Sequence, residues 1–89
     1  MNKQSPKTVL VDYEEKMSLD QATTFLETIV KKLKEEKSFT LTQGDKTHQV
    51  TPSSQVELEV KLEERNGKHK LELELEWREG QEFQGLKIE

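Results

Sequence analysis

Four glutamates, Glu57, Glu59, Glu74 and Glu76, are the residues of this chain whose type and spacing best suit chemistry. They lie on either side of Asn66-Gly67, a dipeptide that favours a two-residue hairpin turn because both central positions of a type I′ turn need positive φ. With that turn, Glu59 faces Glu74 and Glu57 faces Glu76. Like charges directly opposite one another destabilise a sheet by up to about 1 kcal/mol per pair, so this patch departs from plain stability. One reading is a solvated face that keeps the chain soluble and discourages edge association, with counterions softening the repulsion. The other is an interaction surface, either for a basic partner or for a small cationic ligand or divalent metal, since hard cations take carboxylate oxygens. A calcium loop carries glycine and staggered carboxylates on irregular backbone, and this ladder has neither.

The remaining chemistry-bearing residues point away from catalysis. His48 and His69 fall near turns and far apart in the predicted sheet, so each reads as solvated or structurally satisfied. There is no cysteine, which removes thiol nucleophiles, disulfides and the usual ligands of structural zinc. Ser53 and Ser54 are turn residues beside Pro52 with no evident base partner. Gly44, Gly67, Gly80 and Gly85 go with turns or the tail rather than with a phosphate loop. Catalytic residues, cofactor and metal are therefore all expected to be none. Trp77 is expected to act as a structural anchor, because a large ring at a strand end buries apolar area while its N–H seeks an acceptor.

The elements that must position these residues follow from the hydrophobic period. In the Asn66-Gly67 register Leu62 faces Leu71, Val60 faces Leu73, Leu58 faces Leu75 and Val56 faces Trp77, putting four apolar pairs on one face and charges on the other. There Lys61 opposes Glu72 and Glu63 opposes Lys70. Upstream, Gly44-Asp45 suits a type II′ turn that sets Phe39 opposite Val50 and Leu41 opposite His48. Ser18 followed by Gln21 is a capping box, with Met17 and Ala22 placed as a hydrophobic staple. Ala22, Phe25, Leu26, Ile29, Val30 and Leu33 then recur at helical spacing. Lys31, Lys32, Lys34 and Lys37 crowd the helix end, where cations complement exposed carbonyls. From Lys7 to Lys16, Val9, Val11 and Tyr13 alternate with Leu10, Asp12 and Glu14, which predicts a first strand.

These elements predict an α+β fold with one helix packed across a five-stranded, mainly antiparallel sheet, ordered β-α-β-β-β-β along the chain. A sheet ordered 2-3-4-5-1 would be wholly antiparallel; parallel pairing of the first two strands through the helix is the rival. Residues 7–78 are expected to form a single domain, followed by a polar tail over 79–89 whose apolar residues are Phe83, Leu86 and Ile88. Residues 1–6 read as a frayed leader.

The chain has 89 residues, 36% of them charged and 30% hydrophobic, with a net charge of -4. Such a balance disfavours nucleic acid, whose binding rests on Lys and Arg releasing phosphate counterions. No apolar run reaches the length of a signal core or a membrane span, so a soluble, unexported cytoplasmic protein is expected. A domain this small without disulfide or metal gains by burying more surface in association, with a protein partner or with itself as a homodimer.

Met17-Ser18 opening a helix with Ala22 and Phe25-Leu26, then Leu58-Glu59-Val60 and Leu71-Glu72-Leu73-Glu74-Leu75-Glu76-Trp77, resemble the amphi-Trp domain family of small prokaryotic proteins. The resemblance covers roughly residues 8 to 78 and stops short of the tail. It implies the fold and a prokaryotic, cytoplasmic setting, and it supplies no activity, substrate or site residue to carry over. The functional expectation is a small non-enzymatic protein-interaction module acting through its acidic sheet face or a sheet edge. The alternative is a sensor or enzyme-associated domain that binds a small cationic ligand or divalent metal at the carboxylate patch.

Overall fold

A computed structural model of the chain describes residues 6–79. It divides into two compact units, Met1–Thr51 and Pro52–Glu89. The fold is α+β, and the described residues form one helix and four strands, the strands paired in two two-stranded antiparallel sheets.

In the first unit the helix α1 spans Leu19–Glu36. Ser18 starts it as the sequence predicts: its hydroxyl accepts from the Gln21 amide at 3.1 Å, and the Gln21 side chain accepts from the Ser18 amide at 3.2 Å. Two of the orphan donors of the first turn are thereby satisfied reciprocally. At the other end Lys37 enters the left-handed region at φ 60, and its amide closes on the Leu33 carbonyl at 3.1 Å. Lys32 pairs with Glu36 one turn on, at 2.9 Å, so part of the basic cluster is engaged with the helix's own acids. The Thr23 and Thr28 hydroxyls donate back to the carbonyls of Leu19 and Thr24 at 3.0 Å each, which satisfies polar groups that otherwise compete with helical backbone.

The strands β1 (Phe39–Gln43) and β2 (Lys46–Val50) form an antiparallel hairpin in the predicted register, with Phe39 opposite Val50 and Leu41 opposite His48. Gly44 has φ 63 while Asp45 is not among the positive-φ residues, the combination a type II′ turn requires. Ala22, Ile29 and Leu33 from α1 and Phe39, Leu41, His48 and Val50 from the hairpin are partly buried. Phe25, Ile29, Phe39 and Leu41 line one cleft between helix and hairpin. The apolar interior of this unit sits there, although no described residue is fully buried.

The predicted first strand does not form. Residues Lys7–Lys16 have no ladder partner among the described residues, whose two hairpins give four strands in two sheets rather than five in one. A strand exists only if its backbone groups find a neighbouring ladder. Here the Asp12 carbonyl instead accepts from the Gln43 side chain at 3.0 Å. The segment is held by side chains as well, with the Tyr13 ring stacked on Phe25 at 6.5 Å between centroids. The element order is therefore α-β-β-β-β, and neither proposed placement of a first strand applies.

In the second unit β3 (Glu57–Arg65) and β4 (Lys68–Glu76) pair along nine residues each. Asn66 at φ 51 and Gly67 at φ 80 provide the two positive-φ positions of the type I′ turn. The Gly67 amide also donates to the Glu64 carboxylate at 3.2 Å. Residues 1–5 of the expected leader and residues 80–89 of the expected tail, including Phe83, Leu86 and Ile88, lie outside the described residues.

The capping box makes one expectation quantitative. Ser18→Ala should lower stability by about 1 kcal/mol, the usual cost of an N-cap hydroxyl, read as a shift in urea midpoint at unchanged slope. No shift would mean that the helix start is set elsewhere.

Candidate functional site

The β3–β4 ladder pairs Glu57 with Glu76 and Glu59 with Glu74, and, nearer the turn, Lys61 with Glu72 and Glu63 with Lys70. Because side chains alternate along each strand, all eight share one face. The four glutamates of the candidate surface are thus brought together in two directly opposed like-charge pairs. Among the described residues none of the four is in an ion pair.

The favourable charges make their contacts in a different direction from the one the register suggests. Lys61 reaches Glu63 at 2.9 Å and Lys70 reaches Glu72 at 2.8 Å, both along a strand rather than across the ladder. Residues two apart on the same face lie within reach of a lysine stem, so a cross-strand partner is not the only option for the ammonium. The Lys61 ammonium, hydrogen-bonded to Glu63, holds that carboxyl below the ordinary carboxylate range, with Lys70 adding to the effect. The Glu63 and Glu72 carboxylates in turn raise Lys61 and Lys70 respectively. Lys61 and Lys70 are therefore occupied, while Arg65 and Lys68, the ladder pair next to the turn on the same face, are in no ion pair among the described residues. The glutamates toward the open end have no such partner among the described residues.

At that open end Val56, Glu57, Glu76, Trp77 and Arg78 line one shallow cleft. Val56 and Trp77 stand one step past the last ladder pair, where the register read from the sequence places them opposite each other. Trp77 is 38% exposed. Ser53, read from the sequence as a turn residue, does more: its hydroxyl donates to the Arg78 carbonyl at 3.1 Å and ties the segment before β3 to the one after β4. A serine in a Pro-Ser-Ser turn gives no sequence signal for a partner 25 residues away.

The histidines stay apart from this surface and from each other. His69 is exposed opposite Glu64 in β4. His48 is partly buried in β2, and its Nε2 is shielded from solvent without a hydrogen-bond partner. It is thus neither solvated nor fully satisfied, contrary to the sequence reading. The reason lies in the register, which puts it on the inward side of the hairpin opposite Leu41. Among the described residues no three of His, Asp and Glu converge closely enough to hold a metal ion. No helix there is long and apolar enough to cross a membrane.

The model of the Amphi-Trp domain matches residues 5–89. The match takes in the segment 79–89, which the resemblance read from the sequence stopped short of. Neither a curated protein nor a solved structure matches the chain.

Two substitutions test the electrostatics described above. Lys61→Met should bring the Glu63 carboxyl back up toward its ordinary range, followed by carboxyl NMR across an acid titration. A carboxyl depressed in the folded state contributes stability above its unfolded pKa and loses it as pH falls through the folded value. The variant should accordingly show a weaker loss of stability on acidification. His48→Leu removes a shielded, unpartnered nitrogen whose desolvation costs about 1–3 kcal/mol, so the urea midpoint should rise; a fall would show that Nε2 has a partner.

Proposed function

This chain belongs to the Amphi-Trp domain family, and within it we propose a small non-enzymatic protein-interaction module that docks a basic partner on the acidic face of β3–β4. The observation that carries the reading is the pair of opposed glutamate pairs, Glu57 with Glu76 and Glu59 with Glu74, with Lys61 and Lys70 of the same face engaged with Glu63 and Glu72. A cation brought by a partner would relieve both repulsions at once. Ionic complementarity of this kind sets encounter rate and partner choice more than affinity.

The shape of the site supports a peptide or protein rather than a small molecule. The face is an open ribbon nine residues long on each strand, and at its open end Glu57 and Glu76 border a cleft with Arg78 at the rim. The edges of the two-stranded sheet, unpaired among the described residues, offer a second way for an extended segment to add, through main-chain hydrogen bonds. A prokaryotic, cytoplasmic setting belongs to the same proposal. The rival reading, a small cation or divalent metal at the four carboxylates, has no converging ligand set among the described residues to support it.

Glu59→Lys tests the reading on the intact chain against an immobilised short Lys/Arg peptide. Relief of the Glu59–Glu74 repulsion should leave the melting temperature unchanged or raise it, while capture of the peptide falls severalfold and the remaining binding weakens with salt. Unchanged capture would remove the acidic face as the docking surface. Calorimetric titration of the parent chain with calcium and magnesium gives the rival its test, where binding at millimolar ion would favour the cation reading instead.

A further inference from the structure

We propose that Asn66 is a self-modification site, converted to aspartate and isoaspartate through a succinimide when the turn opens, and that the folded hairpin holds this reaction shut through Glu64. The inference does not depend on the docking reading, because every reacting atom belongs to Asn66 and Gly67. An asparagine followed by glycine offers this chemistry the least steric resistance. With no Cβ, Gly67 leaves its backbone nitrogen open to close approach.

The Gly67 nitrogen attacks Cγ of Asn66 and closes a five-membered ring of Cγ, Cβ, Cα, C and N. A C–N bond forms to Gly67, the bond from Cγ to the side-chain nitrogen breaks, and the Gly67 amide proton leaves with that nitrogen as ammonia. Water then opens the ring at one carbonyl or the other. Opening at Cγ gives an ordinary aspartate, whereas opening at the main-chain carbonyl routes the backbone through the former side chain as isoaspartate. Water is the only co-reactant.

Two features of the folded turn oppose ring closure. Asn66 stands at φ 51, in the left-handed region whose ψ is about +47°. At such a ψ the Gly67 nitrogen lies across the Cα–C bond from Cβ, and the ring needs both on the same side. The Gly67 amide also donates to the Glu64 carboxylate at 3.2 Å. That bond occupies the proton the reaction must remove, and the negative charge beside it makes an amide anion more costly. Glu64 thus engages the one nitrogen that reacts.

Opening of the turn releases both restraints, and the isoaspartyl product does not close again. It adds one backbone carbon inside a two-residue turn whose length fixes the register, so Val60 loses Leu73 and Leu58 loses Leu75. Either product also places a new carboxylate two residues from Glu64. A hairpin that stays shut keeps its asparagine. The modification therefore accumulates with time spent open and is irreversible.

Incubation of the intact chain at mildly alkaline pH, followed by peptide mapping that separates the asparagine, aspartate and isoaspartate forms, tests this. Conversion at Asn66 should be at least tenfold slower in native buffer than in urea, since only locally opened turns react. Glu64→Val removes the acceptor with a residue that suits a strand. Its rate in native buffer should rise severalfold while its rate in urea matches the parent's, and unchanged amide shifts at Val60 and Leu73 show that the ladder is kept. Asn66→Asp should also keep those shifts, because aspartate suits the same turn, whereas the purified isoaspartyl chain should lose them.

Equal rates in native buffer and in urea overturn the proposal, as does an asparagine that survives in both. A folded Glu64→Val chain that converts at the parent's native rate overturns the part given to Glu64. Should that variant not fold, Glu64→Gln takes its place, keeping an acceptor without the charge, and a native rate equal to the parent's is again the overturning result. An isoaspartyl chain with the parent's amide shifts shows that the modification does not break the register.

Discussion

The turn at Asn66-Gly67 is the constraint on which the rest of the second unit depends. Two consecutive residues at positive φ, 51 and 80, give the backbone a twist that matches the flanking strands, and side-chain period then assigns every residue to a face. A slip of one residue would send Leu58, Val60 and Leu62 to the side of the glutamates. No such slip leaves either face coherent. The opposed pairs Glu57–Glu76 and Glu59–Glu74 are therefore a consequence of keeping the leucines together. Nine ladder pairs follow from one dipeptide, and Glu64 reinforces it by accepting from the Gly67 amide.

The same logic explains how charge is distributed along the ribbon. Lysines occur near the turn, where Lys61 and Lys70 each find a carboxylate two residues away. Toward the open end the face is purely acidic, and the adjoining chain is tied there by Ser53 on the Arg78 carbonyl. Exposed ion pairs of this kind contribute little to stability, so the gradient bears on recognition more than on folding. The negative potential of the face is therefore strongest at the open end, beside the cleft that Trp77 and Arg78 line.

Both hairpins were legible in the sequence because their signals are local. Gly44-Asp45 and Asn66-Gly67 announce their turn types through the φ values that only certain residues accept without strain, and Ser18 with Gln21 announces the helix start in the same way. The segment Lys7–Lys16 was misread because alternation records which residues could line a strand, whereas a strand also needs a neighbour to bond. Asp12 gives its carbonyl to Gln43 instead, a pairing 31 residues apart that no period reveals. The four glutamates were legible as a group. The direction of the lysine contacts was not, since two partners at similar reach compete and side-chain torsions decide between them. His48 was half legible: the register placed it opposite Leu41, and the shielding of its Nε2 depends on packing around the hairpin.

Toward its open end the ribbon is apolar on one side and acidic on the other, and the two sides interact with their surroundings by different physics. On the apolar side, recognition comes from shape and area, and it has no preference among hydrophobic partners beyond how well they fit. The acidic side selects by sign: basic surfaces are steered in, and acidic ones, including other copies of this chain, are repelled. Glutamates held opposite one another in the ladder thus concentrate negative charge at that end of the face. Like charge directly opposed across the ladder costs the hairpin some stability. The β-strand period keeps these two surroundings apart, because it separates the leucines from the glutamates by the thickness of a single sheet.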